Sequence, residues 1–398
     1  MAAPEETVLQ AERDAGSSDA YARNLEGRFN RMPIVLSRAP DHTDVLHIGL
    51  NSKLYVKSRN GNAFASFGKW DNISGTQVSY ITGVCSDSNR ADVFATNAEN
   101  NLLLQKTYMS GGWKDFQVVT VNGDKQLVNG EVSAATAGPD TLYLFYRNMT
   151  NWIVGIWWNR LQNCWTNIEL NQDWAFHSFG TPRVVAFNFE SKFRLDVFAR
   201  DMSNQVVHKT LSFTDPTNPV GSGTWIPAGA GWEVLSGGPV IDDVSAVQTF
   251  DARGRWHIHL FSRNASNRIV RRSLHQGDKT WMPTDNWDVS WACGGSPVQV
   301  VADATKITAA TTGDWSVVNV AEFDMTGDLM ADWIRVNVGA PEGLQTLSTA
   351  VLHPRGGPRG WLQQGNSEPL EVFLKGADGT LHEIFVRQEN LVLLKKTN

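Results

Sequence analysis

Apolar and polar positions alternate over runs of four to seven residues along most of this chain. Asn, Asp, Ser and Gly cluster between the runs, which is the pattern of short β-strands joined by turns. One run returns about seven times as a hydrophobic strand opening on Asp or another polar residue. Three copies are nearly identical: Asp92-Val93-Phe94-Ala95, Asp196-Val197-Phe198-Ala199-Arg200 and Glu371-Val372-Phe373-Leu374-Lys375. Looser copies begin at Asp44, Thr141 and His257, and a seventh falls either at Val317–Phe323 or at Asp332–Arg335. Successive copies lie roughly 50–60 residues apart, a period that signals a propeller or an array.

Each unit shows four parts in the same order. A strand of small residues comes first (Val78-Ser79-Tyr80-Ile81-Thr82, Val132-Ser133-Ala134-Ala135-Thr136, Val244-Ser245-Ala246-Val247, Ile307-Thr308-Ala309-Ala310). The signature strand follows, then a polar turn, a third strand, and a segment carrying Trp70, Trp113, Trp165, Trp232 or Trp287. This order fits a propeller blade. Small side chains let inner strands crowd an axis, a second strand buried on both faces reads as an apolar run, and an outer Trp fills the widening gap. The chain is therefore predicted to be all-β: a seven-bladed β-propeller over residues 31–398, with six blades as the alternative if 305–364 is miscounted. Residues 1–30 are predicted to form an N-terminal arm in which 5–25 read as a short helix or an ordered extension: Val8-Leu9-Gln10-Ala11-Glu12-Arg13 is helix-friendly before Gly16-Ser17-Ser18 breaks it.

Charge narrows the partners. A net charge of −6 with no basic run excludes a nucleic-acid backbone as partner. No apolar stretch approaches the ~20 residues needed to span a bilayer. Met1–Glu6 has neither a basic start nor an apolar core of a signal peptide. Three sequons, Asn72-Ile-Ser, Asn148-Met-Thr and Asn264-Ala-Ser, nevertheless point to a glycosylated protein of the secretory pathway or extracellular space. The latter two directly follow a signature strand, where a hairpin turn is expected. Cys85, Cys164 and Cys293 have no metal-ligand spacing; one disulfide with a free thiol and three reduced thiols both fit. A monomer or a dimer is expected.

No zincin pair, P-loop, nucleophile elbow or dinucleotide fingerprint is present, so no cofactor is expected. Asp324, Asp328 and Asp332 surround Gly327 with a spacing that resembles the Ca2+ loops of integrin-type propellers, although Leu329 departs from it. A solvated hairpin turn is the preferred reading there. Residues just before the inner strands should ring one mouth of the central channel, which singles out Arg31, Gln77, Glu131, Arg183, Asp243 and Lys306, with Arg359 if a blade begins there. Trp157, Trp158, Trp281, Trp291 and Trp361 fall outside the phase of the blade-core Trp residues and are candidates for stacking on a sugar or a hydrophobic polycycle. Tyr80 and His353 join them as candidate substrate contacts. His257 and His259 flank Ile258 in a strand and are expected to be structural.

At Leu195–Arg200 with Val207-His208-Lys209, and at Asp92–Ala95 with Leu104-Gln105-Lys106 and Gly112-Trp113, the chain resembles fucose-binding propeller lectins of the Photorhabdus lectin type. That resemblance implies fucosylated glycans as partners. The repeats have drifted, with unequal insertions at 212–230 and around 341–360, which suits one unique axial site better than many equal ones. In this the chain is also similar to lectin-like fungal enzymes that catalyse hetero-Diels–Alder couplings in tropolone–sesquiterpenoid biosynthesis. That second likeness implies small hydrophobic substrates, a quinone methide and a terpene alkene, held at bonding distance. Arg183, Arg31 or Lys306 would then donate to the developing phenolate, with Glu131 or Asp243 as proton-transfer partner.

Overall fold

Period-two alternation becomes two buried faces in each signature strand. In Arg90–Asn97, Val93 joins an apolar cluster with the preceding blade while Phe94 joins one with the following blade; Val197 and Phe198 of Lys192–Arg200 divide in the same way. Each such side chain contributes about 1.5–3 kcal/mol through burial. The computed structural model describes the strands Val8–Gln10 and Ala20–Arg28, residues 34–292 apart from short stretches, four two-residue strands between 316 and 336, and the strands Leu370–Lys375 and Thr380–Val386. Among the described residues every regular element is a strand, and no helix is long and apolar enough to cross a membrane.

Five antiparallel blades follow one another. Blade I consists of Ile34–Ala39, His42–Ile48, Leu54–Asn60 and Asp71–Asn72, and blade II of Val78–Asp87, Arg90–Asn97, Leu103–Met109 and Gly112–Trp113. Blade III is built on Val132–Ala135, Tyr143–Arg147, Ile153–Asn159 and Cys164–Ile168. Blade IV has Arg183–Phe189, Lys192–Arg200, Val206–Phe213 and Thr224–Ile226; blade V has Ser245–Phe250, Trp256–Arg263, Arg268–His275 and Asp288–Ala292. Their inner strands pack side by side in chain order, and each of four apolar clusters is shared by two consecutive blades. This radial repetition is the arrangement of a β-propeller.

The turns lock blades together. Asn101, Asn151 and Asn204, with Ser52 in blade I, take φ of 59°, 67°, 61° and 60°, the left-handed conformation that Asn adopts at least cost among side-chain-bearing residues. The carbonyls of Ser52, Asn101, Asn151 and Asn204 accept bonds of 2.7–3.1 Å from the N–H groups of Val78, Val128, Ser178 and Val240, each on the segment leading to the next blade. One turn conformation thus serves the hairpin and the joint between blades.

The Asp of the repeated phrase is buried. Asp44, Asp92 and Asp196 are 0% exposed. Asp92 accepts bonds from Arg90, Gln105 and Thr107. Asp196 is held bidentately by Arg194 (2.6 and 2.7 Å), by Thr210 (2.7 Å) and by His208 Nε2 (2.7 Å), whose Nδ1 lies 3.1 Å from Glu233. Burial pushes the Asp196 carboxyl up, but Arg194 and His208 more than offset it and hold the pKa well below the carboxylate range. Burial likewise opposes the His208 imidazolium, and bonds to Asp196 and Glu233 raise its pKa nonetheless. Buried Lys106, Lys209 and Arg272 on third strands donate to backbone carbonyls of the segments that follow, and Arg272 also to Ser236 O on the connection before its blade.

At the start of the chain the helix alternative is corrected. Val8–Gln10 is a strand, and it pairs with Ala20–Arg28. The latter pairs in turn with Thr380–Val386, where Tyr21 faces Phe385 and Ala22 faces Ile384. Propensity favoured a helix, but Ala20–Arg28, docked on Thr380–Val386, offers Val8–Gln10 a strand edge whose backbone groups it satisfies.

Candidate functional site

Glu131, Arg183 and Asp243 stand at the head of three successive inner strands, and the fold brings them together. Arg183 Nη2 donates to Glu131 Oε2 at 2.8 Å, with side chains 23% and 39% exposed. Burial opposes the guanidinium charge, yet the carboxylates of Glu131 and Asp243 outweigh it and raise the Arg183 pKa above its ordinary value. Asp243 Oδ2 accepts from the Thr181 N–H at 2.9 Å and Oδ1 lies 3.4 Å from Arg200 Nη2. A Cβ at Gly180 would lie 1.6 Å from Asp243 Oδ1, so glycine there is what allows the carboxylate to approach. Val184 N–H donates to Ser133 Oγ at 3.0 Å, fixing blade IV against blade III beneath the cluster.

Two residues that the sequence reading did not single out belong to this network. Arg200, at the end of the blade IV signature strand, donates to Ile241 O (2.6 Å) and Asn204 Oδ1 (3.2 Å) besides reaching Asp243. Its guanidinium lies 4.8 Å from the ring centre of Phe179, which is 50% exposed. Phe179 sits on a connecting segment outside any periodic run, so only its being a large apolar residue between Ser178 and Gly180 marks it in the sequence. The arrangement offers charged donors and acceptors on one side and an aromatic ring on the other. That is the chemistry of polar-ligand recognition through directed hydrogen bonds with an apolar contact.

The other predicted contacts fare differently. Trp157 is 4% exposed in the cluster between blades III and IV, so its reading as a stacking platform is corrected. It occupies the place where other blades keep a hydroxyl opposite Asp: Asp196 faces Thr210, whereas Tyr143 faces Trp157. Trp281 is buried edge-on to His208 at 5.2 Å and is corrected to a packing role, whereas Trp158 is partly buried, edge-on against Trp165 at 5.4 Å. Trp165 and Trp287 are buried, and Trp113 and Trp232 pack partly buried against the clusters, as their phase predicted. Tyr80 is half-buried on the blade II inner strand near its pairing with Thr96. Arg31, Lys306, His353, Trp361, Asp324, Asp328 and Asp332 lie outside the described residues, as does the side chain of Trp291. Among the described residues no group of three potential ligands could hold a metal ion. Asn72 is exposed, and Asn148 and Asn264 head the expected turns, their Oδ1 atoms accepting from Thr150 and Ser266 N–H groups.

No protein-family profile and no curated protein matches the chain. Solved structures do. The chain is similar to the BP39L lectin from Burkholderia pseudomallei, with a TM-score of 0.57 and 16% identity over 93% of this chain and 96% of that one. It is also similar to AofleA from Arthrobotrys oligospora (TM-score 0.48, 10% identity, 88% and 99% covered). A third similar structure is the Aleuria aurantia lectin, described as a six-bladed β-propeller with fucose recognition (TM-score 0.46, 14% identity, 80% and 100% covered). At such identity the first of these establishes a shared fold and nothing finer.

Proposed function

We propose that this protein is a glycan-binding propeller lectin whose ligand is held at the Glu131–Arg183–Asp243 cluster. The observation that carries the reading is the convergence of three charged side chains from three consecutive blades. An Arg beside two carboxylates can donate to and accept from neighbouring sugar hydroxyls at once. The fold shared with the BP39L lectin and the Asp-Val-Phe-Ala-Arg phrase support it, and fucosides are the first glycans to test. Seven blades are part of the proposal. Beyond the five described, Ser316–Val317 pairs with Arg335–Val336 in the same register as Glu322–Phe323 with Leu329–Met330, one hairpin of a sixth, and the closing sheet makes the seventh. The sequons at exposed Asn72 and at the turns headed by Asn148 and Asn264 favour passage through the secretory pathway.

The unaltered chain is expected to give hits on a glycan array, and Arg183→Ala to weaken binding of the best hit about tenfold or more, since a charge-assisted hydrogen bond contributes about 1.5–3 kcal/mol. A silent array, or full affinity in Arg183→Ala by titration calorimetry, defeats the reading.

A second reading draws on the cluster's singularity. The residue heading the blade II inner strand is the uncharged Gln77, so the constellation does not repeat in every described blade. A single site suits a hetero-Diels–Alder catalyst that orients a quinone methide against a terpene alkene and stabilises its developing phenolate through Arg183. Incubation with a quinone-methide precursor and humulene is then expected to change product ratios; ratios equal to the protein-free control discard it.

A further inference from the structure

His208 on the blade IV third strand stands where blade II has Gln105, since the registers pair Phe198 with His208 and Phe94 with Gln105. Gln105 donates from Nε2 to Asp92 at 2.8 Å and accepts from Trp165 Nε1 at 3.2 Å, a relay whose middle member does not titrate. In blade IV the middle member is an imidazole between two carboxylates, Nε2 2.7 Å from Asp196 Oδ1 and Nδ1 3.1 Å from Glu233 Oε2. Phe198 stacks on the ring at 4.6 Å and Trp281 meets it edge-on at 5.2 Å, so packing fixes the ring plane. The charged groups around it are Arg194 and Asp196 from the signature strand, Glu233 from the outer strand, and Arg272 of blade V, whose charge acts on Glu233. Lys209, on the other face of the same strand, anchors the carbonyls of Gly229 and Gly231 ahead of Glu233, while Arg272 holds Ser236 O just after Leu235.

The two carboxylates are unequal. Asp196 is fully buried, whereas the Glu233 side chain is 48% exposed. A protonated ring donates to both at once; a neutral ring has one N–H and one lone pair and donates to one only. A buried carboxylate that loses a donor costs more than one that water can solvate. The remaining N–H therefore stays with Asp196, and the Nδ1 lone pair is turned towards Glu233.

We infer that His208 is a proton-operated latch on the outer strand Glu233–Leu235. The imidazolium holds Glu233 and keeps the strand paired with Val206–His208, and the neutral ring lets it go. The bonds of Lys209 before the strand and of Arg272 after it confine the opening to these residues. The sign follows from the partners: Asp196 and Glu233 raise the His208 pKa above 6.5, so the latch is closed below that value and opens as pH rises through the folded-state pKa. None of the residues assigned to the ligand cluster takes part, so the latch is independent of what binds there.

Hydrogen exchange read by mass spectrometry on the full chain, from about pH 5 to about pH 9 and corrected for the intrinsic pH dependence of exchange, tests the latch. Protection of the 233–235 amides is expected to fall about fivefold as pH rises, the effect of losing a charge-assisted bond to a half-exposed group. Leu103–Met109 of blade II, where Gln105 takes the place of His208, should keep its protection. His208→Gln is expected to make protection of 233–235 constant, at the level the unaltered chain reaches at high pH, because the amide donates to Asp196 and turns an oxygen to Glu233. Glu233→Gln, at a half-exposed position where folding is not at stake, is expected to hold it constant at the low-pH level. An amide there accepts from the protonated ring and donates to the neutral one. Protection that does not change with pH in the unaltered chain overturns the inference. So does a fall that persists in both variants, which would belong to Lys209, unaltered in each.

Discussion

Asp196→Ala is expected to destabilise the protein by about 3–5 kcal/mol, the range for removing one partner of a buried ion pair. The loss exceeds that of one contact because Asp196 is the acceptor for Arg194, His208 and Thr210 together. With the carboxylate gone, the Arg194 head remains packed 4.4 Å from the Trp256 ring, and His208 keeps the half-exposed Glu233 as its one charged partner, with the neutral Thr210 hydroxyl at 3.0 Å. The effect should depend on pH with a definite sign. Asp196 has its pKa lowered from 3.8, so its contribution is present above that value and lost as pH falls through the folded-state pKa. His208 has its pKa raised from 6.5, so its contribution is complete below 6.5 and lost as pH rises through the folded-state pKa. The gap between the unaltered chain and Asp196→Ala should therefore be widest between pH about 4 and 6.5. Chemical denaturation at several pH values measures it; a gap below about 1 kcal/mol throughout would mean that Arg194 and His208 find other partners.

Removing residues 1–28 is expected to abolish the single cooperative unfolding transition. Ala20–Arg28 is the outer neighbour of Thr380–Val386, and the first blade begins six residues later at Ile34, so this strand ties the chain's two ends together. Without it Thr380–Val386 becomes an exposed edge, which invites pairing with other chains. The first blade would also lose its covalent link to the closing sheet. Thermal unfolding followed by far-ultraviolet circular dichroism and by Trp fluorescence should cease to coincide, with aggregation at lower temperature than for the full chain. Coincident transitions at an unchanged midpoint would show that the N-terminal strand is dispensable.

That Arg183 lies beside Glu131 and near Asp243 was legible in the sequence because all three stand at the heads of successive inner strands. Once the small-residue strands are recognised, Glu131, Arg183 and Asp243 fall at their heads, and radial symmetry alone brings successive heads together. Trp157 misled because its blade exchanged the buried Asp–hydroxyl pair for Tyr143 and Trp157, which is invisible without the register. The opening segment misled because its local composition favours a helix, whereas Val8–Gln10 pairs with Ala20–Arg28, a strand that is itself held by Thr380–Val386, more than three hundred residues further along the chain. Phe179 escaped notice because no period marks a residue on a connection.

What the sequence determined by itself is therefore the repeat: strand period, the two buried faces of Asp-Val-Phe-Ala, the turn chemistry and the blade order, all of which depend on neighbours close along the chain. The tertiary structure decided which charged residues pair across blades, which Trp residues are core, how the ends close, and that Phe179 stands exposed on Arg200. Those outcomes depend on contacts between residues distant in sequence, where packing and register override local preference.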